Sequence, residues 1–400
     1  MVKHTTINNS TGERRCSCFK RCGGCQLDMP YKQQLEWKQS KAQRMLSRFC
    51  KVEQIIPMQS PYNYRNKVQT VYRRDRSGRL ISGVFQSSTR TLTATQDCFL
   101  EDTAAQSIVA ELKKLFVSFR IMPYDERTGR GILRHTLIRT AKQTGQIMLV
   151  IVTKGAMFPS KHNFVKALLQ KCPQVTTVVQ NICDDPMPLT LGERNNVLYG
   201  SGKIADELCS CKFLISPASF YQVNPVQTQI LYDTAVKAAD IAEGKRVLDA
   251  YCGVGTIGIV CAKQGAQVVG VESNKSAVRD AIANARLNKL NNIRFVNADA
   301  AQFICESAYK GEKFDTIIMD PPRAGSTEQF ISAVAAISPH SVVYVSCKIE
   351  TLERDLKLFA KCGYKAQLIQ PVDMFPHTTG IETVVLLKKK VKENTNGQQN

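Results

Sequence analysis

Two short stretches near the C-terminus carry residue types suited to covalent chemistry on a carbon atom. Cys347 lies just past the apolar run VVYVS, while His377 and Glu382 precede the apolar run TVVLL. A thiolate is a strong nucleophile. Its attack on C6 of a pyrimidine makes C5 able to take a methyl group, and a base must then remove the C5 proton. We therefore predict Cys347 as a nucleophile, with His377 and Glu382 as candidate bases.

A carboxylate is predicted near the same thiol. Asp320 opens the stretch DPPR, which follows the apolar run FDTIIM. Ligands of α/β sheets bind at the carboxyl edge of the strands, so a rigid loop bearing a carboxylate is expected at that edge. Methyltransferases directed at amino groups use a similar loop. The motif by itself therefore does not name the target atom.

The stretch VLDAYCGVGTIGI (247–259) predicts a strand, a glycine-rich turn and the start of a helix. Glycines such as Gly253 let the backbone approach a ligand closely, and a helix N-terminus follows them. Glu272 ends the next predicted strand, in the position that binds ribose hydroxyls in dinucleotide folds. Asp249 inside this stretch, together with the DPPR loop, favours S-adenosylmethionine over NAD as the cofactor.

Four cysteines stand within residues 16–25, CSCFKRCGGC. Cys22 and Cys25 form one C-x-x-C pair, whereas Cys16 and Cys18 are too close together to form a second one. The chain has 15 cysteines, an odd number, in 400 residues, which argues against a secreted disulfide scaffold. The cluster therefore predicts a metal centre, with zinc and iron–sulfur as the alternatives.

The charge balance predicts a polyanionic partner. Lys and Arg total 54 against 34 acidic residues, a formal net charge of +20, which is typical of nucleic-acid-binding proteins. The N-terminus lacks the apolar core of a signal peptide, and no apolar run approaches the ~20 residues of a membrane helix. We expect a cytoplasmic protein that does not associate with membranes. Nothing indicates a large apolar interface, so we expect a monomer without an obligate protein partner.

The elements that must position these residues change in character near residue 215. Residues 13–215 predict the cysteine segment, a basic helix over 29–49 that packs on the catalytic domain, and a β-rich, RNA-binding central domain. The central domain includes two hairpins that turn at DRSG and near KQTGQ. Its basic stretches YRNK and YRRDRSGR are candidates for contacting RNA phosphates and stacking on bases.

The remaining chain predicts a second domain and two tails. Residues 216–392 alternate apolar strands with helices, which predicts a parallel, doubly wound α/β domain. Residues 1–12 and 393–400 are polar and are predicted to be disordered tails. The catalytic candidates all fall in the α/β domain, and the cysteine cluster falls in the region before it.

Seven stretches together resemble one known family: CFKRCGGC, YRNKVQ, SFYQVNP, LDAYCGVGT, DPPRAG, SCKIETLERDL and HTTGIET. They are similar to the RNA uracil-5 methyltransferases, which use S-adenosylmethionine, over about 380 residues. The resemblance implies a Rossmann-like methyltransferase domain, with Cys347 as nucleophile, Glu382 as the base for the C5 proton and Asp320 beside the uracil ring or the cofactor. The implied cofactor contacts are Gln222, Tyr251, Gly253, Thr256, Glu272, Asp299 and Asp320.

The same resemblance bears on the cysteines. The family pattern C-x5-C-G-G-C with one distant cysteine holds a 4Fe–4S cluster, which implies the ligands Cys16, Cys22, Cys25 and Cys98 and leaves Cys18 outside the set. Relatives that act on 23S ribosomal RNA carry these cysteines, whereas those that act on the tRNA T-loop generally lack them. The implied substrate is therefore 23S rRNA, and tRNA is the alternative.

The chain departs from the family in two places. Gly380 stands where relatives commonly carry a second histidine. Because the cysteine cluster begins at residue 16, we expect a bacterial form without the N-terminal β-barrel domain called TRAM, so that RNA affinity comes from the central domain. Two other functions stay open: an amino-directed methyltransferase in which Cys347 is idle, and a catalytically silent RNA-binding protein.

Overall fold

The computed structural model describes residues 5–7, 14–86, 89, 91–95, 97–185, 187 and 189–390. The chain forms two compact units, each built from several segments. Unit 1 comprises Met1–Gln34, Met58–Val226 and Phe375–Thr379, and unit 2 comprises Leu35–Pro57, Gln227–Met374 and Gly380–Asn400. The predicted tails lie outside the described residues, apart from residues 5–7, which form a short strand.

Unit 1 contains the β-rich region. Its elements are β1 (Thr5–Ile7), β2 (Arg14–Cys16), α1 (Phe19–Cys22), β3 (Lys67–Arg74), β4 (Leu80–Phe85), β5 (Leu92–Ala94), α3 (Thr103–Ser118), β6 (Leu133–Thr140), β7 (Ile147–Thr153), α4 (Lys161–Lys171), β8 (Val175–Ile182), β9 (Arg194–Tyr199), β10 (Ile204–Leu208) and β11 (Cys211–Ile215). The helix α2 (Tyr31–Leu46) begins in this unit. Seven strands form one sheet in the order β5-β4-β3-β6-β7-β8-β9, in which β7 and β8 are the parallel pair.

Both predicted hairpins are confirmed. β3 and β4 pair through the turn DRSG, where the Asp75 carboxylate accepts hydrogen bonds from the backbone N–H groups of Ser77 (2.9 Å) and Arg79 (3.0 Å). β6 and β7 pair across KQTGQ. Short polar side chains that bond the backbone two residues on are what make such turns.

The structure contains two helices that the prediction of a β-rich central domain did not include. α3 and α4 pack on one face of the sheet, where Ile108 and Phe164 contact a core that includes Val68 and Ile138. α3 begins at the cap Asp102, whose carboxylate accepts from the N–H groups of Ala104 and Ala105. A cap followed by apolar residues on one helical face is the local signal for this helix.

Unit 2 holds the α/β domain, and its fold class is confirmed. Its elements are the rest of α2, α5 (Pro225–Ala239, most of which lies in this unit), β12 (Arg246–Ala250), α6 (Thr256–Lys263), β13 (Gln267–Glu272), α7 (Lys275–Leu287), β14 (Ile293–Asn297), α8 (Ala300–Tyr309), β15 (Thr316–Met319), α9 (Glu328–Ile337), β16 (Ser341–Ser346), α10 (Ile349–Lys361), β17 (Tyr364–Val372) and β18 (Glu382–Lys389). The strand order is β14-β13-β12-β15-β16-β18-β17.

The sheet of unit 2 is mixed rather than all parallel. β14, β13, β12, β15 and β16 are parallel, but β18 lies antiparallel between β16 and β17. β17 and β18 are joined by a loop and pair directly, which needs no helical crossover. An all-parallel sheet was therefore the wrong expectation for this edge, where β17 was also not predicted.

Helices cover both faces of this sheet, as the doubly wound prediction requires. Leu248 and Ala250 of β12 pack with Phe330 of α9 and Leu356 of α10 in one core. Asp249 points to the opposite face, because side chains alternate along a strand, and its carboxylate lies against α6 at Gly258. Among the described residues, no helix combines the length and apolar character needed to span a membrane.

The segment Leu35–Pro57 extends the sheet of unit 2. Ala42 and Leu46 of α2 are buried in the same core as β16 and β17. Beyond the helix, Val52 and Ile56 form parallel bridges with Ile369 and Val372 of β17. The exposed edge that β17 would otherwise present is therefore paired, which is one way that proteins protect edge strands.

A buried ion pair fastens this segment. The Lys38 Nζ atom donates to the Asp373 carboxylate at 2.5 Å, and neither side chain is exposed to solvent. Burial lowers the pKa of Lys38, and the nearby Asp373 charge opposes that shift. Because each charge is desolvated, the loss of one partner removes the opposite charge that offsets the burial of the other.

We predict that Lys38→Ala lowers the free energy of unfolding of unit 2 by about 3–5 kcal/mol. Lys41→Ala removes a partly exposed pair with Glu350 and should cost at most about 1 kcal/mol. Urea unfolding followed by fluorescence of Trp37, the single tryptophan, measures both variants in unit 2. Equal losses for the two variants would contradict a special role of the buried pair. The apolar double variant Lys38→Met/Asp373→Leu should recover most of the loss.

Candidate active site

The topology of unit 2 brings three predicted catalytic residues to one edge of the sheet. Asp320 directly follows β15, and Cys347 directly follows the neighbouring parallel strand β16. Glu382 is the first residue of β18, which runs antiparallel to β16 with Thr383 opposite Ser346. The start of β18 therefore meets the ends of β15 and β16. Cys347, Asp320 and Glu382 consequently share the carboxyl edge.

Burial dominates the electrostatics of these residues. It raises the pKa of Asp320 to about 7. It raises the pKa of Glu382 to about 8, with the Asp320 charge adding to the rise and Arg323 opposing it. The pKa of Cys347 is raised to about 11, first by burial and then by Glu382 and Asp320, again with Arg323 opposing. The three groups therefore interact with one another and with one nearby cation.

This environment decides which protonation states coexist. Two carboxylates and a thiolate at one buried edge repel one another, so the folded protein disfavours ionising all three. Near neutral pH, Cys347 is a thiol and Glu382 is largely a carboxylic acid. Arg323 was quoted in the DPPR motif but was not predicted as a site residue. Its position three residues after Asp320 was the available signal.

The glycine-rich turn after β12 is shaped by two carboxylates. Asp249 accepts a hydrogen bond from the Gly258 N–H at 2.8 Å, and a Cβ atom at Gly258 would lie 2.8 Å from the same carboxylate oxygen. Glu272 accepts from the Gly253 N–H at 3.1 Å and from the Asn274 N–H at 2.7 Å. A Cβ atom at Gly253 would meet no heavy atom within 4 Å, so that part of the turn faces open space.

Asp249 has a structural role that the sequence did not assign. It is 1% exposed, and burial raises its pKa to about 7, while the Gly258 hydrogen bond lowers it. Its carboxylate joins β12 to the start of α6, which fixes the turn between them. Glycine at position 258 is required by this close approach.

The other predicted cofactor contacts are placed as follows. Tyr251 adopts a φ of 64° just after β12 and packs its ring on Phe330. The Thr256 hydroxyl donates to the Tyr232 hydroxyl at 3.2 Å, and Asp299 caps α8 while lying close enough to raise the pKa of Tyr251. Gln222 belongs to unit 1, where its carbonyl accepts from Asn66. The roles of these four residues in binding a cofactor stay predictions.

His377 belongs to unit 1 and lies in an aromatic group. Its ring stacks on Tyr62 with centroids 5.4 Å apart and meets Phe99 edge-on at 4.8 Å. Its Nδ1 atom is 3.1 Å from the side-chain amide nitrogen of Gln34, and its backbone N–H donates to the side-chain amide oxygen (Oε1) of Gln34. These contacts give His377 a packing role, whereas Glu382 is the candidate base that lies with Cys347 and Asp320.

The predicted cysteine ligands also come together, in unit 1. Cys25 is near enough to Cys16, Cys22 and Cys98 for each charge to affect the others, and burial raises the pKa of Cys25 to about 12. Cys98, which is distant in sequence, lies near the other cysteines because backbone hydrogen bonds pair residues 63–65 with residues 99–102. Cys18 is 1% exposed, and its thiol contacts the Ala94 carbonyl at 3.7 Å.

The surroundings of these thiols suit an anionic metal–thiolate group. Arg65 is a half-buried cation beside Cys25 and Cys98, the Glu101 carboxylate also lies near it, and its Nε atom has no hydrogen-bond partner among the described residues. A buried guanidinium is costly unless an anion faces it. Thiolates become anionic when they bind a metal. Over the part of the chain that the structure describes, however, no three His, Cys, Asp or Glu side chains are arranged to hold a metal ion.

The stretch YRNK does not present the RNA contacts expected of it. Tyr64 is 6% exposed and donates to the Pro376 carbonyl, Arg65 faces the thiols, and the Asn66 amide holds the Gln222 carbonyl. In YRRDRSGR, Tyr72 is fully buried against Thr136. Both tyrosine rings are buried in unit 1, so neither can stack on a base.

Comparison with known proteins finds similar chains among RNA methyltransferases. The model of the tRNA (uracil-5-)-methyltransferase family matches residues 203–390. An uncharacterized RNA methyltransferase of Clostridium tetani is 39% identical over 380 residues, 94% of this chain and 82% of its own length. An uncharacterized RNA methyltransferase of Halalkalibacterium halodurans is also 39% identical, over 94% of this chain and 84% of its own.

A solved structure matches both units. The tRNA (uracil-54, C5)-methyltransferase of Pyrococcus abyssi, in complex with S-adenosyl-L-homocysteine, is 27% identical with a TM-score of 0.76. The match covers 97% of this chain and 92% of that one. The fold and the site edge thus define an S-adenosylmethionine-dependent RNA methyltransferase. The chain belongs to the RNA uracil-5 methyltransferase family.

The raised pKa of Glu382 predicts a pH-dependent stability. Its ordinary value is 4.5 and its folded value about 8, so the folded state holds the proton more tightly. The resulting stabilisation is complete below pH 4.5 and is lost as the pH rises through 8. We expect the wild-type unfolding free energy to fall between these limits, with Glu382 contributing about 2–4 kcal/mol of the fall.

Glu382→Gln should remove that contribution and flatten the profile, as measured by urea unfolding with Trp37 fluorescence at several pH values. Glu350→Gln is the matched control, because this partly exposed acid pairs with Lys41 at the surface and has a lowered pKa. An unchanged slope in Glu382→Gln would show that Glu382 titrates normally in the folded protein.

Proposed function

We propose that this protein methylates C5 of a uridine in 23S ribosomal RNA, with S-adenosylmethionine as the methyl donor. The observation that carries the proposal is the grouping of Cys347, Glu382 and Asp320 at one sheet edge, where Glu382 is buried and the other two are half-buried. This grouping supplies both the nucleophile and the base that C5 chemistry needs, whereas an amino-directed enzyme needs no thiol. A silent RNA-binding protein would need neither.

The cofactor fits the turn after β12. The open backbone at Gly253 and the nearby Glu272 carboxylate are suited to a nucleoside with free ribose hydroxyls. When bound, S-adenosylmethionine supplies an electrophilic methyl group on a sulfonium. The residues proposed to hold it are Tyr251, Gly253, Thr256, Glu272 and Asp299, all in unit 2. Asp320, at the same edge, is proposed to contact the cofactor or the uracil ring.

Cys347 performs the first proposed step. Its thiol gives up a proton, for which the carboxylate of Asp320, with a pKa of about 7, is the nearby acceptor of suitable strength. The thiolate forms a bond to C6 of the uracil, and the C5–C6 electron pair moves to give an enolate. C5 then takes the methyl group and S-adenosylhomocysteine leaves. The target base must be unstacked for this attack on its face.

Glu382 completes the reaction. As a carboxylate it removes the proton from C5, and the freed electron pair restores the C5–C6 double bond while the bond to Cys347 breaks. A pKa of about 8 makes Glu382 a stronger base than an ordinary carboxylate. Its proton must be lost before each turnover, so the rate is expected to rise with pH up to about 8.

We predict distinct outcomes for the two central residues. In cells that lack the gene, wild-type protein should restore 5-methyluridine, whereas Cys347→Ala and Glu382→Gln should each reduce it by at least about 100-fold. Glu382→Gln should retain an RNA–protein adduct on a denaturing gel, because the methylated adduct cannot lose its C5 proton. Cys347→Ala should form no adduct. Full activity of Cys347→Ala would favour amino-directed chemistry instead.

The same cells identify the substrate. Mapping 5-methyluridine in 23S rRNA and in tRNA shows which site is lost without the gene. A tRNA target is the second candidate, because the Pyrococcus abyssi protein, similar over 97% of this chain, acts on tRNA uracil-54. A lost tRNA site and an unchanged rRNA would establish that alternative. A cytoplasmic monomer without an obligate protein partner is part of the proposal.

We further propose that Cys16, Cys22, Cys25 and Cys98 hold a 4Fe–4S cluster. The soft thiolate set and the half-buried cation Arg65 beside it support an anionic cluster. Its role is proposed to be structural or RNA-facing, because the methyl transfer at Cys347 consumes no electron.

We predict that Cys98→Ala loses bound iron and sulfide, whereas Cys18→Ala keeps both. Cys18 is the matched control because it is buried in the same unit and has its own contact with Ala94. Iron and acid-labile sulfide assays on anaerobically purified protein measure the difference. A colourless wild-type protein that contains zinc would contradict the cluster.

A further inference from the structure

The loop that carries Asp320 is held by the helix that follows Cys347. The Thr351 hydroxyl of α10 donates to the Arg323 carbonyl at 3.3 Å. One turn on, the Arg354 guanidinium donates to the carbonyls of Ala324 and Ser326, each at 2.9 Å. Three successive contacts therefore run from α10 to the backbone just after the DPP motif.

A buried carboxylate orients the Arg354 side chain that makes two of these contacts. Asp355 has no exposed surface, and its Oδ2 atom accepts from the Tyr344 hydroxyl and from the Ser326 N–H, both at 2.7 Å. Its Oδ1 atom accepts from the Arg354 Nε at 2.8 Å. The carboxylate thus links strand β16, helix α10 and the loop. Because the guanidinium is planar, this pairing fixes the direction in which Arg354 reaches the loop.

The loop backbone approaches this carboxylate as closely as glycine allows. Gly325 has a φ of +77°, and a Cβ atom there would lie 2.6 Å from Asp355 Oδ2 and 2.7 Å from the Arg354 guanidinium. Any other residue at 325 would push the loop away from α10. The contact between the loop and α10 therefore requires glycine at position 325.

We propose that Arg354 and Asp355 are positioning residues that hold the DPPR loop so that Asp320 and Arg323 act on Cys347 and Glu382. Cys347 lies two residues before α10 begins, so one helix fixes both the nucleophile and the loop. Arg323 is the cation whose charge stabilises the ionised forms of Cys347 and Glu382. This positioning role rests on the proposed function of the site.

Arg354→Ala is the direct test, because the Arg354 side chain is half-exposed and its removal leaves no buried cavity. Iodoacetamide alkylation of Cys347, followed by peptide mass spectrometry across a pH series, reads the thiol without requiring RNA. We expect the midpoint of reactivity to move up by about one pH unit, because a displaced Arg323 no longer favours the thiolate. Arg354→Lys keeps the positive charge and can reach one carbonyl. Its alkylation midpoint should therefore lie between those of the wild type and Arg354→Ala.

Methylation supplies the second readout. Arg354→Ala should lower kcat about 10- to 100-fold, with a smaller change in KM for S-adenosylmethionine, because the loop rather than the cofactor turn is displaced. Lys357→Gln is the matched control, since Lys357 lies on the same helix and pairs with Glu353 at the surface. It should match wild type in both assays.

The outcomes separate the inference from the proposed function. If Arg354→Ala keeps the wild-type alkylation midpoint and kcat while only its melting temperature falls, the pair is merely structural and the inference is overturned. If the wild type methylates no uridine but the midpoint still shifts in Arg354→Ala, the proposed function fails and the positioning role stands. Asp355→Asn is a second variant for the same two assays. If Asp355→Asn does not fold, the Arg354 variants alone decide the outcome.

Discussion

The burial of like-charged groups at one sheet edge is the constraint on which the site depends. Asp320, Glu382 and Cys347 all lose hydration there. The Asp320 charge raises the cost of ionising Glu382, and both carboxylates raise the cost of ionising Cys347. Arg323 is the cation that offsets part of this cost. The folded protein therefore favours the thiol form of Cys347 and the acid form of Glu382, the residues proposed as nucleophile and base. In the proposed reaction, Cys347 and Glu382 must each lose a proton before they act. The position of Arg323 affects both losses, because its positive charge lowers both pKa values.

The topology explains why these residues meet. A parallel β15–β16 pair brings Asp320 and Cys347 to the same edge, as in any doubly wound sheet. Glu382 reaches that edge because β18 runs the opposite way and starts where β16 ends. If β18 were parallel, its first residue would lie at the far edge. The antiparallel strand is therefore what brings Glu382, the proposed base, to the carboxyl edge of the sheet.

Several polar and charged residues that are expected at the surface contact the interior instead. Arg65 lies beside buried thiols, and Asn66 holds a backbone carbonyl. Lys38 forms a buried ion pair that fixes the segment completing the edge of unit 2. Each of these is costly to bury and is satisfied by a defined partner or by the proposed cluster. The stretch YRNK therefore offers less cationic surface to RNA than its sequence indicates, whereas Arg74, Arg76 and Arg79 of YRRDRSGR are exposed.

The sequence by itself determined the α/β class of the second region, the turn after β12 and the two hairpins, and it supplied the residues proposed for the chemistry, Cys347, Glu382 and Asp320. Those features depend on local periodicity, turn chemistry and residue type, which are written along the chain. Tertiary structure alone decided that β18 is antiparallel, that residues 35–57 complete the sheet of unit 2, and that Tyr64 and Arg65 face inward. It also brought Arg354 and Asp355 onto the DPPR loop. These depend on contacts between residues far apart in sequence, and no local pattern specifies which distant groups meet.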